Sequence, residues 1–128
     1  MNRDQLNKLS KIILDSSIEV HRNLVPGLLE SVYEVCLCKE LSLRDINFQR
    51  QVSLPVEYKN EKLDADFRID VLVENEIIIE LKAVEFLLPV LEAQLLTYLK
   101  LADKKLGFLI NFNVPKLVDG FKRMVNNF

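Results

Sequence analysis

Residues Phe67 to Lys82, FRIDVLVENEIIIELK, constrain this chain more than any other stretch. Two runs rich in β-branched residues flank Glu74-Asn75-Glu76, a polar trio with room only for a tight turn. The segment therefore predicts a β-hairpin. With the turn centred on Asn75, Val73 opposes Ile77 and Asp70 opposes Glu80. Opposed residues share a face with Cβ atoms about 5 Å apart. Lys82, two residues beyond Glu80, points the same way. Ile69, Val71, Val73, Ile77, Ile79 and Leu81 are expected on the other face. A slip of one residue would set Asp70 against an isoleucine, so the pattern specifies its own register.

Two carboxylates held side by side repel, and a shared proton or a bound cation relieves them. A hard divalent ion such as Mg²⁺ suits two carboxylates completed by waters and a substrate phosphate. It would polarise a phosphoryl group and acidify a bound water. Lys82 would then orient that water or offset charge developing on the phosphate. The competing reading is a charged cross-strand pair on a solvated face.

The chain has 128 residues, the size of one domain, expected to span 1–128. Such a length buries enough surface for a core without metal or disulfide staples. The formal charge of −2 argues against binding nucleic acid by overall charge alone, though not against a local basic patch. Lys104, Lys105, Lys116, Lys122 and Arg123 are candidates for a modest basic rim or are simply solvated. No apolar run reaches membrane-spanning length and no apolar leader opens the chain, so a cytoplasmic protein with no membrane partner is expected. Cys36 and Cys38 cannot form a zinc site alone and sit too close in a helix for a relaxed disulfide. Two reduced cysteines near the core are expected.

Apolar spacing predicts a helix over Leu6 to Asn23, stopped at Val25-Pro26-Gly27. A second runs from about Leu28 to Ser42, with Leu29, Val32, Tyr33, Cys36, Leu37 and Leu41 inward. Asn47 to Tyr58, Leu63 to Val73 and Ile77 to Val84 read as strands. Leu87 or Pro89 opens a helix to about Ala102, with Leu91, Leu95, Leu96 and Leu99 inward. Leu106 to Phe112 is a short buried strand, and Val114 to about Asn126 reads as a last helix. The order α, α, β, β, β, α, β, α predicts an antiparallel meander and a parallel crossover. The resulting fold is α/β, a mixed central sheet flanked by helices.

Three other features fall near this frame. Glu30, with Tyr33 and Glu34 at helical spacing, could bring a third acid over the sheet, or serve as a first-turn acid on its helix dipole. Gln94 and Tyr98, one turn apart, could contact a phosphate or base, brace a catalytic side chain, or form an ordinary polar edge. His21, the sole histidine, excludes chemistry built on paired histidines. It reads as a helix-end residue or as a group at the mouth of the site. Three glycines exclude a dinucleotide fingerprint, and no phosphate-binding loop occurs.

Asp70 followed by Glu80-Leu81-Lys82 resembles the D…(D/E)-x-K signature of the PD-(D/E)XK nuclease superfamily, and the element order resembles its αβββαβ core. Glu30 on the leading helix and Gln94-x-x-x-Tyr98 resemble further motifs of its RecB-like branch. More narrowly, Gly27-Leu-Leu-Glu30-Ser-Val-Tyr33 fits the motif of the small GxxExxY proteins. His21, Glu80 to Val84 and Leu109 to Phe112 are also similar to that family. Val25 departs from the glycine often found before the helix. The resemblance implies a restriction-endonuclease-like core with extra N- and C-terminal helices. It implies metal ligation by Asp70 and Glu80 with Glu30, a catalytic Lys82, and support from Gln94, Tyr98, Tyr33 and His21. The implied cofactor is Mg²⁺ or Mn²⁺, the implied substrate nucleic acid, DNA before RNA, and a homodimer would help a core this small grip a duplex. The alternatives are a nuclease-like module that binds nucleic acid or protein without cutting, and an interaction protein that oligomerises through apolar helix faces such as Leu6 to Val20.

Overall fold

A computed structural model describes residues 1–128. Helices α1 (Arg3–Asn23) and α2 (Glu30–Leu43) precede strands β1 (Phe48–Tyr58), β2 (Glu61–Val73) and β3 (Ile77–Lys82). Helix α3 (Pro89–Ala102) leads to β4 (Leu106–Asn111), a 3₁₀ turn (Leu117–Gly120) and β5 (Phe121–Val125). The five strands lie side by side in chain order. Only β3 and β4 are parallel, joined through α3; the other neighbours are antiparallel.

The α1 helix starts before the expected Leu6. Asn2 accepts the Gln5 N–H at 2.8 Å and the Gln5 side chain accepts the Asn2 N–H at 2.9 Å, a capping box that extends the helix backwards. Leu6, Leu9, Ile13 and Val20 are buried in the core with α2 and one face of the sheet. The apolar stripe considered for oligomerisation is thus consumed internally.

The buried face of α2 is rotated from the expected one. Tyr33, Leu37 and Leu41 are inside, but Glu34 and Cys38 join them. Leu29 and Val32 are 74% and 38% exposed. Apolar residues surround this helix on all sides, so periodicity could not select a face; an ion pair of Glu34 with Arg50 makes its burial tolerable. The opposite sheet face packs Leu95, Tyr98 and Leu99 of α3 against Ile69, Leu72, Ile78 and Leu109.

The expected C-terminal helix does not form. After the 3₁₀ turn the chain becomes β5, antiparallel to β4 with Leu106 opposite Val125 and Ile110 opposite Phe121. Every residue of β4 is buried, and its outer edge would leave backbone groups unpaired without a fifth strand. Phe121 also stacks on Phe108, centroids 4.7 Å apart. Gly120 permits the approach: a Cβ there would lie 2.2 Å from the Asn111 carbonyl oxygen.

Candidate active site

The hairpin has the register its sequence specified. Val73 pairs with Ile77 and Val71 with Ile79. Glu74 and Asn75 adopt φ of 52° and 55° in the turn. The next pair in this register is Asp70 and Glu80, and there the backbone ladder stops. Carboxylates replace it: Glu80 Oε2 accepts the Asp70 N–H at 3.2 Å, and Asp70 Oδ2 accepts the Leu81 N–H at 2.9 Å.

The first two strands are disturbed at the same level. Arg50 pairs with Val71 and Val52 with Ile69, while Gln51 between them takes φ +52°. The alternation of buried residues flips here. Val71 and Val73 pack against α1 and α2, but Ile69 packs on the α3 side with Leu72 and Ile78. Ile69 therefore does not share a face with Val71 as a strict two-residue period expects. Asp70 stands at the switch point, where a local distortion re-aims side chains.

These distortions open a cleft of about 370 Å³. Glu30 and Glu34 of α2, Arg50 and Gln51 of β1, Asp70 of β2, and Leu81 and Lys82 of β3 border it. Glu80 is 6% exposed and lies behind this wall. Burial pushes its carboxyl up to about 9, and the side chain and charge of Asp70 act in the same direction, against the Asp70 backbone N–H and the pull of Lys82. At neutral pH this favours the protonated form of Glu80. Lys82 takes part in none of the ion pairs, so its ammonium is uncommitted.

Glu30 is brought to the cleft but not into contact: no three acidic, cysteine or histidine residues converge closely enough to hold a metal ion. The expected three-acid set of Glu30, Asp70 and Glu80 is thus not closed. The donor chemistry of Asp70 and Glu80 still suits a hard divalent cation. Two adjacent carboxyls, one of them held toward its neutral form by burial and by the other's charge, are what such an ion relieves.

Gln94 Nε2 donates to the Tyr98 hydroxyl at 2.9 Å. Burial raises the Tyr98 pKa, and the charges of Glu80 and Asp70 raise it further, which places this phenol within their field from the α3 side. Tyr33 lies under the cleft rather than in it. Its ring stacks on Phe112 at 4.7 Å, and its hydroxyl donates to the Val25 carbonyl at 2.7 Å, pinning the loop that leads to Glu30. Val25, the departure from glycine, is 66% exposed in that loop, which accommodates its side chain. His21 does not border the cleft; its Nε2 meets the Val114 carbonyl at 2.7 Å and ties α1 to the segment after β4.

Sequence reasoning did not single out Arg50 or Gln51, and it gave Asn111 no role of its own within Leu109 to Phe112. Asn111 is 3% exposed and clamps Val84, just past Lys82: its Oδ1 accepts the Val84 N–H at 3.1 Å and its Nδ2 donates to the Val84 carbonyl at 2.9 Å. An asparagine inside an apolar strand was the signal for it. Of the expected basic rim, Lys122 is paired with Glu92 at 3.0 Å and Arg123 lies over the Phe128 ring at 4.5 Å. None of the five borders the cleft. Both cysteines are free thiols, and burial pushes Cys38 up to about 11.

No helix is long and apolar enough to cross a membrane. Comparison with curated proteins finds no match. Among solved structures, the crystal structure of SSO0001 is similar, with a TM-score of 0.52 and 16% identity over 90% of this chain and 75% of that one, a likeness of fold. The sequence profile of the PD-(D/E)XK nuclease superfamily matches residues 7–124, nearly the whole chain. With its mixed sheet between helices and its Asp70, Glu80 and Lys82 at one broken end of a hairpin, this chain belongs to the PD-(D/E)XK nuclease superfamily.

Proposed function

We propose that this protein is a Mg²⁺- or Mn²⁺-dependent nuclease that hydrolyses phosphodiester bonds of DNA. The observation that carries the reading is the reciprocal arrangement of Asp70 and Glu80 at the point where the β2–β3 ladder ends, with an unpaired Lys82 beside them. Asp70 and Glu80 are the residues that would hold the cation, with Glu30 facing them across the cleft. A bound divalent ion supplies Lewis-acid polarisation of the phosphoryl oxygen and lowers the pKa of water.

The chain's own groups do the rest. Asp70 and Glu80 each spend one oxygen on a backbone N–H, which fixes the carboxyl planes and leaves the other oxygen for ligation. Lys82 donates to the attacking water or to the phosphate as negative charge grows in the transition state. Just past β4, the Phe112 N–H donates to the Lys82 carbonyl at 2.9 Å and holds the Lys82 backbone in place. On the α3 side, buried Tyr98 accepts a hydrogen bond from Gln94.

The test is cleavage of labelled single-stranded, duplex and branched DNA, and of RNA, with and without Mn²⁺, beside Glu80→Ala and Lys82→Ala. Cleavage that survives both substitutions sinks the site. A second reading, a module that binds nucleic acid or protein without cutting, is favoured by one observation: Glu30, Asp70 and Glu80 do not close into a three-acid group. Titratable metal binding with no cleavage of any substrate selects it. A homodimer in the cytoplasm is the assembly we propose, and sedimentation of the protein with and without DNA tests it.

A further inference from the structure

A second constellation in the cleft lies apart from the carboxylates at its centre. Glu34 is 5% exposed, and both of its oxygens are engaged by consecutive residues of one strand. Arg50 Nε donates to Oε2 at 2.9 Å with Nη2 at 2.8 Å from the same oxygen, and Gln51 Nε2 donates to Oε1 at 2.8 Å. Consecutive residues of a regular strand point to opposite faces. Arg50 and Gln51 reach one carboxylate where Gln51 holds φ +52°, a conformation disfavoured for a residue with a Cβ. Strained backbone of this kind persists where surrounding contacts over-determine it and clusters at binding sites.

Arg50 spends only one edge of its guanidinium on Glu34. Nη1 makes no hydrogen bond within the protein, and the side chain is 43% exposed at the border of the cleft that holds Asp70 and Lys82. A planar cation fixed along one edge and open along the other is pre-organised for phosphate oxygens. The other expected cations, Lys122 and Arg123, are occupied elsewhere, so Arg50 and Lys82 are the two positive groups bordering the cleft.

We infer that Arg50 is a substrate-binding residue that anchors a phosphate of the nucleic-acid strand, with Glu34 as the positioning residue that aims its guanidinium and Gln51 as a brace. The inference rests on reading the cleft as a nuclease site and adds a strand-binding group that needs no metal. Because Arg50 and Glu34 offset each other in charge, the anchor acts by direction rather than by net attraction.

The experiment compares the wild type, in which Glu34 aims Arg50, with the double variant Glu34→Gln/Arg50→Met, which removes the pair without changing net charge. Binding to fluorescent single-stranded and duplex DNA is followed by anisotropy across a salt series in Ca²⁺, with Lys11→Met as a distant control. The double variant is expected to bind about tenfold more weakly than the wild type, and the slope of log affinity against log salt falls by about 0.7 on single strands or 0.9 on duplex as one phosphate contact is lost. An unchanged slope and affinity overturn the inference while leaving wild-type cleavage, and hence the nuclease reading, intact. A wild type that neither binds nor cleaves nucleic acid overturns both. Should the double variant fail to fold, Arg50→Lys keeps the ion pair and loses the planar fork. It is expected to raise KM about tenfold with kcat within twofold, and an unaltered KM counts against the anchor.

Discussion

Near its turn the β2–β3 pair is a regular ladder: Val71 faces Ile79, Val73 faces Ile77, and all four are 0% exposed. One pair further on, Asp70 and Glu80 take over the same backbone N–H groups with their side chains, and the ladder ends. The two ends are built on one register from similar neighbours. At the turn end, backbone pairing satisfies the main chain and leaves side chains free to bury apolar surface. At the open end, carboxylates satisfy it, so their position is set as firmly as that of the backbone itself. An arrangement built this way is pre-organised at the cost of burying the Glu80 carboxyl beside that of Asp70.

The largest effects should separate the two ends by what is lost. Glu80→Ala or Lys82→Ala is expected to lower kcat in Mn²⁺ by about 100-fold or more, roughly 3 kcal/mol of transition-state stabilisation. Ile79→Ala instead should cost about 3 kcal/mol of folding stability in a urea melt, as for a large-to-small change in a packed core. Equal loss of activity and stability in all three variants would erase the distinction.

The pH dependence of stability sharpens it. Glu80 is raised from 4.5 to about 9 in the folded protein, so the fold holds this proton more tightly than the unfolded chain. The stabilisation is fully present below pH 4.5 and is lost as pH rises toward about 9. Metal-free protein should therefore lose roughly 2–4 kcal/mol of this contribution from mildly acidic to mildly basic pH. Glu80→Gln should remove that slope, and Mg²⁺ should oppose it in the wild type. A wild-type slope identical to that of Glu80→Gln, read from melts across pH, counts against a buried, protonated Glu80.

Asn111→Ala removes the clamp on Val84 and is expected to cost about 1–2 kcal/mol by leaving partly buried backbone groups unpaired, with activity reduced alongside. The smallest effect belongs to the turn end. Glu76→Gln breaks the ion pair with the N-terminal ammonium at 2.9 Å, and an exposed pair of this kind is worth less than about 1 kcal/mol. A larger change in thermal stability would mean that the turn, and not only its apolar flanks, organises the hairpin.

Alternating β-branched runs around Glu74-Asn75-Glu76 made the hairpin register, and with it the meeting of Asp70 and Glu80, legible from residue order alone. Pro89 and the leucine spacing that follows it did the same for α3, and through it for the parallel step to β4. These are local signals: turn chemistry and periodicity act within a few residues. The face of α2, the crossover of Ile69 to the α3 side, and the strand at Phe121–Val125 were decided only by distant partners. Burial of Glu34 depends on Arg50, sixteen residues away. The β5 strand depends on an open edge of β4 and a glycine tight against Asn111. The sequence by itself determined which charges share the hairpin. Tertiary structure decided which other charges reach them, because the free energy of burying an acid or closing a sheet edge is set by groups that only the fold brings together.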